Sequence, residues 1–312
     1  MSGNKKVKVL YIAGWGRSGS TLLDNILGQA EGFFSAGELR HIWYHSVLQN
    51  TLCGCGSKFR DCDIWNNIFD EAFEGFDGID AQRMVELTHK ETRSWRIPWL
   101  LFTKGKGRIS ASRREYLDVL EKLYLTIGAV THSNVIVDSS KNPVYACMLM
   151  LIPSIDLYVI HLVRDPRAVA FSWTSPKSTK EVTGKQYLEY RNPLLSSIYW
   201  SIWNFAIAFI GRIRPSRYFQ MRYEDFISEP QIMLTNIFDN LDIHPHHLPF
   251  VSNQMINLRP THTVWGNPGR FHIGTIELKL DERWKRKMGV ISKLMVLLAT
   301  WPIMIRWKYR IW

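Results

Sequence analysis

The chain has 312 residues, of which 46% are hydrophobic and 21% are charged, enough for one large α/β domain or two smaller ones with a sizeable core. The formal net charge of +11 favours an anionic ligand or an anionic surface. The basic residues are scattered along the chain, whereas nucleic-acid-binding proteins concentrate them on one face or arm, so we expect no nucleic-acid partner.

Four apolar segments predict the strands of one sheet: Val7–Ala13, Asn134–Ser140, Asp156–Val163 and Arg217–Tyr223. Predicted helices alternate with them: Thr21–Gln29, Pro143–Leu151, Pro166–Trp173 and Pro193–Ile213. The first three strands are nearly continuous apolar runs, which is typical of parallel strands buried on both faces. The sequence therefore predicts an α/β fold with a P-loop-type, doubly wound parallel sheet flanked by helices.

Between Glu38 and His132 the pattern changes to helices only. This predicts a helical insertion of about residues 39–132 after the first βα unit, suited to form a lid or wall of a substrate site. Within it, Ser112 and Glu115 match a capping box at the start of a helix over Arg113–Gly128. With C-terminal helices over about residues 281–312, we expect residues 1–312 to form a single domain.

Two apolar stretches are candidates for membrane segments. Pro193–Ile213 contains serines and Asn204, which are costly in lipid, so a buried helix is favoured over a transmembrane segment. Gly289–Ile305 predicts a core helix, with weak peripheral membrane contact through Trp301, Trp307 and the basic tail. The N-terminus is polar and lacks the features of a signal peptide, so the sequence predicts a cytoplasmic protein.

The segment Ala13–Leu23, AGWGRSGSTLL, keeps the glycine spacing and the Thr21 hydroxyl of a Walker A loop. Ser20 stands at the position of the Walker lysine, and Arg17 lies three residues earlier. Backbone N–H groups in such a loop, together with the N-terminus of the following helix, bind phosphate. We expect these residues to do so here: Arg17, Ser18, Gly19, Ser20 and Thr21.

Polar residues also follow the three later strands: Asp138–Lys141, Arg164–Arg167 with Ser172, and Tyr223–Asp225. In open α/β sheets, ligands bind outside the carboxyl ends of the strands. The cations and hydroxyls should therefore converge on one edge of the sheet. This predicts a site for a ligand that carries more than one phosphate-like group.

Two of these segments together resemble the sulfotransferases that use 3′-phosphoadenosine 5′-phosphosulfate (PAPS). Gly16–Leu23, GRSGSTLL, is similar to their 5′-phosphosulfate loop. Leu162–Trp173, LVRDPRAVAFSW, is similar to their 3′-phosphate motif, and Arg164 and Ser172 keep its eight-residue spacing. Two later segments resemble parts of the family that contact the nucleotide. They are Arg222–Pro230, RYEDF…P, and Gly266–Phe271, GNPGRF. The resemblance covers about residues 7–286.

The resemblance implies sulfuryl transfer from PAPS to a hydroxyl or amine of a small-molecule, carbohydrate or lipid acceptor. The reaction would be an in-line displacement that releases the desulfated nucleotide (PAP) and needs no metal. It also implies that Arg164, Ser172 and Tyr223 hold the 3′-phosphate and that Arg270 contacts the nucleotide. Family members carry Lys or Arg at the position of Arg17, usually after a proline that this chain lacks.

Catalytic roles also follow from the resemblance. Lys141 is similar to the catalytic lysine of cytosolic members, but Pro143 stands where their histidine base would be. Bacterial and tyrosylprotein sulfotransferases instead share a Gly-Glu pair about twenty residues past the loop, matched here by Gly37 and Glu38. We therefore predict Glu38 as the general base, with Arg17 and Lys141 stabilising charge. The structural alternative for Glu38 is a favourable charge at a helix N-terminus.

The sequence is compatible with two other functions. One is a kinase-like P-loop phosphotransferase using ATP and Mg²⁺, against which Ser20 at the Walker lysine position argues. The other is a basic module that binds nucleic acid or a membrane surface, against which the scattered charge argues.

The cysteines Cys53, Cys55 and Cys62 lie in the segment TLCGCGSKFRDC. They allow a zinc site with His41 or His45 as the fourth ligand, a disulfide, or a packed loop bordering the acceptor pocket. The sequence favours the packed loop and predicts no metal.

Overall fold

The computed structural model describes residues 6–97, 109–174, 178–179, 186–187 and 191–311. Nine strands are assigned in these ranges: β1 Val7–Ala13, β2 Phe33–Gly37, β3 Val135–Lys141, β4 Ile155–Val163, β5 Ser178–Thr179, β6 Gln186–Tyr187, β7 Tyr218–Arg222, β8 Met255–Leu258 and β9 Gly274–Glu277. Five of them form a parallel sheet in the order β2-β3-β1-β4-β7. Strands β5 and β6, and strands β8 and β9, form two antiparallel pairs.

The α-helices of the described ranges flank the sheet or lie in the insertion: α1 Ser20–Leu27, α2 Asp63–Phe73, α3 Ala81–Glu91, α4 Ala111–Val130, α5 Pro143–Leu149, α6 Pro166–Thr174, α7 Pro193–Ile213, α8 Tyr223–Ser228, α9 Pro230–Leu241, α10 Arg283–Lys287 and α11 Val290–Arg306. Short 3₁₀ turns and one π-helix, Ile42–Leu48, connect some of them.

The sheet is buried on both faces because its central strands are apolar throughout. Along β1, Val9 and Tyr11 pack into one hydrophobic cluster, whereas Leu10 and Ile12 pack into another on the opposite face. Two separate cores, each covered by helices, are the arrangement of a doubly wound α/β protein. The predicted fold class is confirmed, and all four predicted strands agree within one residue at each end.

The start of the long insertion helix differs from the prediction. Helix α4 begins at Ala111, and the cap is Ser110, whose side chain accepts a hydrogen bond from the backbone N–H of Arg113. Ser112 lies inside the helix, and Glu115 pairs with Arg83 at 2.9 Å. The capping box predicted from Ser112 and Glu115 is therefore wrong, because Ser110 holds the extended backbone that a cap requires.

Helix α7 is long and apolar enough to cross a membrane by length and composition alone, and 39% of its most apolar window is buried in the described structure. It packs against α11. Trp301 on α11 is half exposed, whereas Trp307 is buried against Trp200. Of the two tryptophans predicted to contact a membrane, only Trp301 is accessible.

Candidate active site

A cavity of about 600 Å³ lies at the carboxyl ends of the sheet strands. Nine of the residues predicted from the sequence line it: Arg17, Gly19, Ser20, Thr21, Glu38, Lys141, Arg164, Ser172 and Tyr223. Ser18 lies in the same loop and is buried. Five elements that are distant in sequence therefore contribute to one site, as expected where parallel strands end at a common edge.

The phosphate loop joins β1 to α1. Gly19 caps the helix with a left-handed backbone, φ +93°, and its carbonyl accepts hydrogen bonds from the N–H groups of Leu22 and Leu23. An added Cβ would lie 2.3 Å from ring atoms of Tyr223. Gly19 thus meets two requirements at once, a positive φ and close contact with an aromatic ring.

We expect Gly19→Ala to lower the free energy of unfolding by about 2–5 kcal/mol, because backbone strain adds to displacement of Tyr223. Gly274→Ala is the matched control: Gly274 has φ +82°, but nothing lies within 4 Å of its added Cβ. The control should cost only about 1–2 kcal/mol. Urea unfolding of both variants measures the difference, and equal losses would contradict the role of Tyr223.

Arg17 packs against an aromatic wall of the cavity. Its guanidinium carbon lies 4.8 Å from the centroid of the Trp173 ring. The same indole is so close to Gly16 that an added Cβ would lie 2.7 Å from its Cζ2. A bulkier residue at position 16 would therefore displace the Trp173 indole. Burial lowers the pKa of Arg17, and the negative charge of Glu38 opposes that shift.

Arg164 connects the end of β4 to the phosphate loop. Its Nη1 donates a hydrogen bond to the carbonyl of Arg17 at 3.0 Å, and its guanidinium lies over the Tyr223 ring at 4.6 Å. Four buried polar atoms here have no partner within the described residues: Arg17 Nε, Ser18 Oγ, Arg164 Nε and Trp173 Nε1. Leaving such atoms unpaired is costly, so they fit a site that is completed by an anionic ligand.

Glu38 and Lys141 form an ion pair at the ends of adjacent strands. Glu38 follows β2, Lys141 ends β3 with φ +66°, and Glu38 Oε1 lies 2.5 Å from Lys141 Nζ. Lys141 Nζ also donates to the carbonyl of Ser139 at 2.9 Å. His41 Nε2 lies 3.9 Å from Glu38 Oε2. The predicted base and the predicted catalytic lysine therefore meet in the cavity, and each holds the other in place.

In sequence, residues 10–246 match the family model described as the sulfotransferase family, and this range is more than half of the chain. The chain belongs to the sulfotransferase family. The sulfotransferase domain from the curacin biosynthetic pathway is 19% identical, with 98% of this chain and 99% of that chain covered and a TM-score of 0.53. The sulfotransferase domain from the Synechococcus PCC 7002 olefin synthase is 22% identical, with 97% and 96% covered and a TM-score of 0.53. Both are similar in fold. No curated protein matches the chain.

Two buried carboxylates, Asp138 and Asp24, lie at the edge of the sheet that forms the cavity. Asp138 accepts hydrogen bonds from Tyr124 and from Ser140, and burial raises its pKa to about 6. The Ser140 hydroxyl in turn accepts a hydrogen bond from the backbone N–H of Arg40 at 3.0 Å. This chain of contacts fixes the backbone just after Glu38 relative to β3. Burial also raises the pKa of Asp24, which accepts hydrogen bonds from two serines, to about 7.

The structure does not bring Arg270 to the cavity. Its guanidinium donates to the carbonyls of Thr263 at 3.1 Å and Leu52 at 2.8 Å, and only 1% of the residue is exposed. Several cavity residues were not singled out from the sequence: Trp173, Trp265, Asn267, His272 and Lys279. Trp173 was detectable, since it ends the LVRDPRAVAFSW motif, whereas Lys279 has no local sequence signal.

Proposed function

We propose that this sulfotransferase transfers a sulfuryl group from PAPS to a hydroxyl or amine of a small acceptor. The observation that carries the proposal is the set of buried, unpaired donors around the phosphate loop, beside the Glu38–Lys141 pair. The kinase-like alternative has less support, since Ser20 replaces the lysine that a triphosphate site needs. The Glu38 carboxylate is already paired with Lys141, so it is not free to bind the Mg²⁺ of such a site.

Each part of the donor has a group suited to hold it. Backbone N–H groups at the start of α1, with the hydroxyls of Ser20 and Thr21, would bind the 5′-phosphosulfate. Arg164 and Ser172, with the Tyr223 ring beside them, would bind the 3′-phosphate through charge-assisted hydrogen bonds. We assign Arg270 a positioning role instead, because it holds the segment that carries Trp265 and Asn267.

In the proposed reaction, Glu38 accepts the proton of the acceptor hydroxyl or amine as its oxygen or nitrogen attacks sulfur. The bond between sulfur and the bridging phosphate oxygen breaks, and that oxygen keeps the electron pair. PAPS supplies the activated sulfuryl group, and PAP is the leaving group. Arg17 and Lys141 stabilise the negative charge that develops on the departing oxygen.

Calorimetry with PAP and with ATP plus Mg²⁺ tests the donor. We expect PAP to bind without metal and more tightly than Mg-ATP, because both of its phosphate positions have cations facing them. Quenching of tryptophan fluorescence offers a second readout, since Trp173 lies against Arg17. Preference for Mg-ATP, or binding of neither nucleotide, would contradict the proposal.

We also propose that residues 1–312 form one domain. The C-terminal segment is tied to the catalytic edge: Tyr309 donates to Val163 at 3.2 Å and to Glu224 at 2.8 Å, and Arg167 donates to the carbonyl of Arg310 at 2.9 Å. These contacts join the end of the chain to the last residue of β4 and to residues that follow β4 and β7.

A further inference from the structure

Four residues outside the cavity converge into a compact cluster of metal-ligating side chains. Cys53, Cys55 and Cys62 lie before α2, and His262 follows β8, so the two segments are far apart in sequence. Their ligand atoms all lie within 4.8 Å of one another. We propose that these four residues, the Cys₃His cluster, form a structural zinc site.

The distances fit a tetrahedral ion. Bond lengths of about 2.3 Å for Zn–S and about 2.0–2.1 Å for Zn–N require edges of about 3.8 Å between sulfurs and about 3.6 Å between sulfur and nitrogen. Cys55 Sγ lies 3.8 Å from Cys62 Sγ. His262 Nδ1 lies 3.2 Å from Cys62 Sγ and 4.0 Å from Cys53 Sγ. A disulfide needs sulfurs at about 2.05 Å, and all three cysteines are free.

The donor set and burial indicate a structural role. Three thiolates and one imidazole fill the four positions that zinc prefers, which leaves none open for substrate. Cys53 and Cys62 are buried, whereas Cys55 and His262 are half-buried, so the ion would have a route of entry. The fourth ligand differs from both sequence-based candidates. His45 stacks on Trp265 with ring centroids 3.5 Å apart, and His41 contacts Glu38.

Around the cluster, the backbone of the cysteine segment packs closely against the backbone of the segment that carries His262. Gly54 donates its N–H to the carbonyl of Thr263 at 2.9 Å, and an added Cβ at Gly54 would lie 2.4 Å from Thr263 Oγ1. The Trp65 indole donates to the carbonyl of His262 at 2.8 Å. These contacts place the cysteine loop on His262 independently of any ion, as expected of outer contacts that orient ligands.

Zinc in the cluster would stabilise one wall of the cavity. Three residues past His262, Trp265 begins a segment that lines the cavity together with Glu38. Arg270 ties the same segment to Leu52, next to the first cysteine, at 2.8 Å. A bound ion would therefore connect the insertion to this wall of the cavity. Removal of the ion should make both the insertion and the wall less stable.

Metal analysis of the full chain, purified from zinc-supplemented medium without chelator, tests the site. We expect about one zinc per chain for wild type and almost none after dialysis for Cys55→Ser or Cys62→Ser. Cys147→Ser is the matched control, since Cys147 is a buried free cysteine on α5, outside the cluster. His262→Cys should retain zinc, because four thiolates also suit it, whereas His262→Ala should lose it.

A measurement on wild-type protein covers the case in which cysteine variants fail to fold. With zinc bound, the three cluster thiols should resist a thiol reagent. A strong chelator should expose all three and lower Tm, and added zinc should reverse both changes. Wild type that binds no zinc after reconstitution, or thiol reactivity that the chelator leaves unchanged, would overturn the site.

Discussion

Glu38→Gln should lower kcat by about 10²- to 10⁴-fold, the usual contribution of a positioned general base. Glutamine keeps the shape of the side chain but cannot accept the acceptor's proton. The substitution also removes the negative charge beside Lys141, 2.5 Å away, and thereby frees that cation. The Kd for PAP should therefore stay the same or fall, which separates loss of chemistry from loss of folding. Steady-state rates and calorimetry measure the two effects.

Glu277→Gln is the matched control for this prediction. Glu277 is a carboxylate on β9 that lines the same cavity but is exposed to solvent. The control variant should keep wild-type kcat. Full activity in Glu38→Gln would remove Glu38 as the base, and loss of PAP binding would show that its main role is to hold the site together.

Arg164→Ala should raise the Kd for PAP by about 10- to 150-fold, the value of one charge-assisted hydrogen bond of about 1.5–3 kcal/mol. The reason is that Arg164 has an unpaired Nε in the cavity and packs on Tyr223, where we place the 3′-phosphate. Adenosine 5′-phosphate lacks that phosphate, so its Kd should change little. The ratio of the two dissociation constants is the quantity to measure.

Arg167→Ala controls for charge in the same motif. The Arg167 guanidinium forms a bidentate pair with Asp165, at 3.0 and 2.7 Å, and does not line the cavity. Its replacement should leave both dissociation constants near wild type. If Arg164→Ala weakens both nucleotides equally, its main effect is on the loop, through the lost hydrogen bond to the Arg17 carbonyl.

Much of the cavity was predictable because parallel strands place their carboxyl ends together. Once β1, β3 and β4 were recognised as buried apolar runs, the residues after them had to meet, and Arg17, Lys141 and Arg164 do. Arg164 lies just before α6 and Ser172 lies within it, so their eight-residue spacing is visible in the sequence without knowledge of the fold.

What the sequence could not predict depends on contacts between distant segments. Strand β2, FFSAG, is short and ends in small residues, so it was missed although it carries the chain to Glu38. Arg270 lies in the GNPGRF segment, which resembles a nucleotide-contacting segment of the family. Its guanidinium nevertheless donates hydrogen bonds to the carbonyls of Thr263 and Leu52. Three strands of the central sheet, β3, β4 and β7, lie between the cysteines and His262 in the sequence, and no local pattern marks His262 as their neighbour.

The strand order has a consequence for how this enzyme can diversify. Read across the sheet as β2-β3-β1-β4-β7, the proposed groups form a row: Glu38, Lys141, Arg17, Arg164 and Tyr223. In the proposed mechanism, acceptor activation lies at one end of this row and nucleotide recognition at the other, with the transferred group between them. The insertion follows β2, so under that mechanism changes in its loops would alter the acceptor end and leave the donor end unchanged.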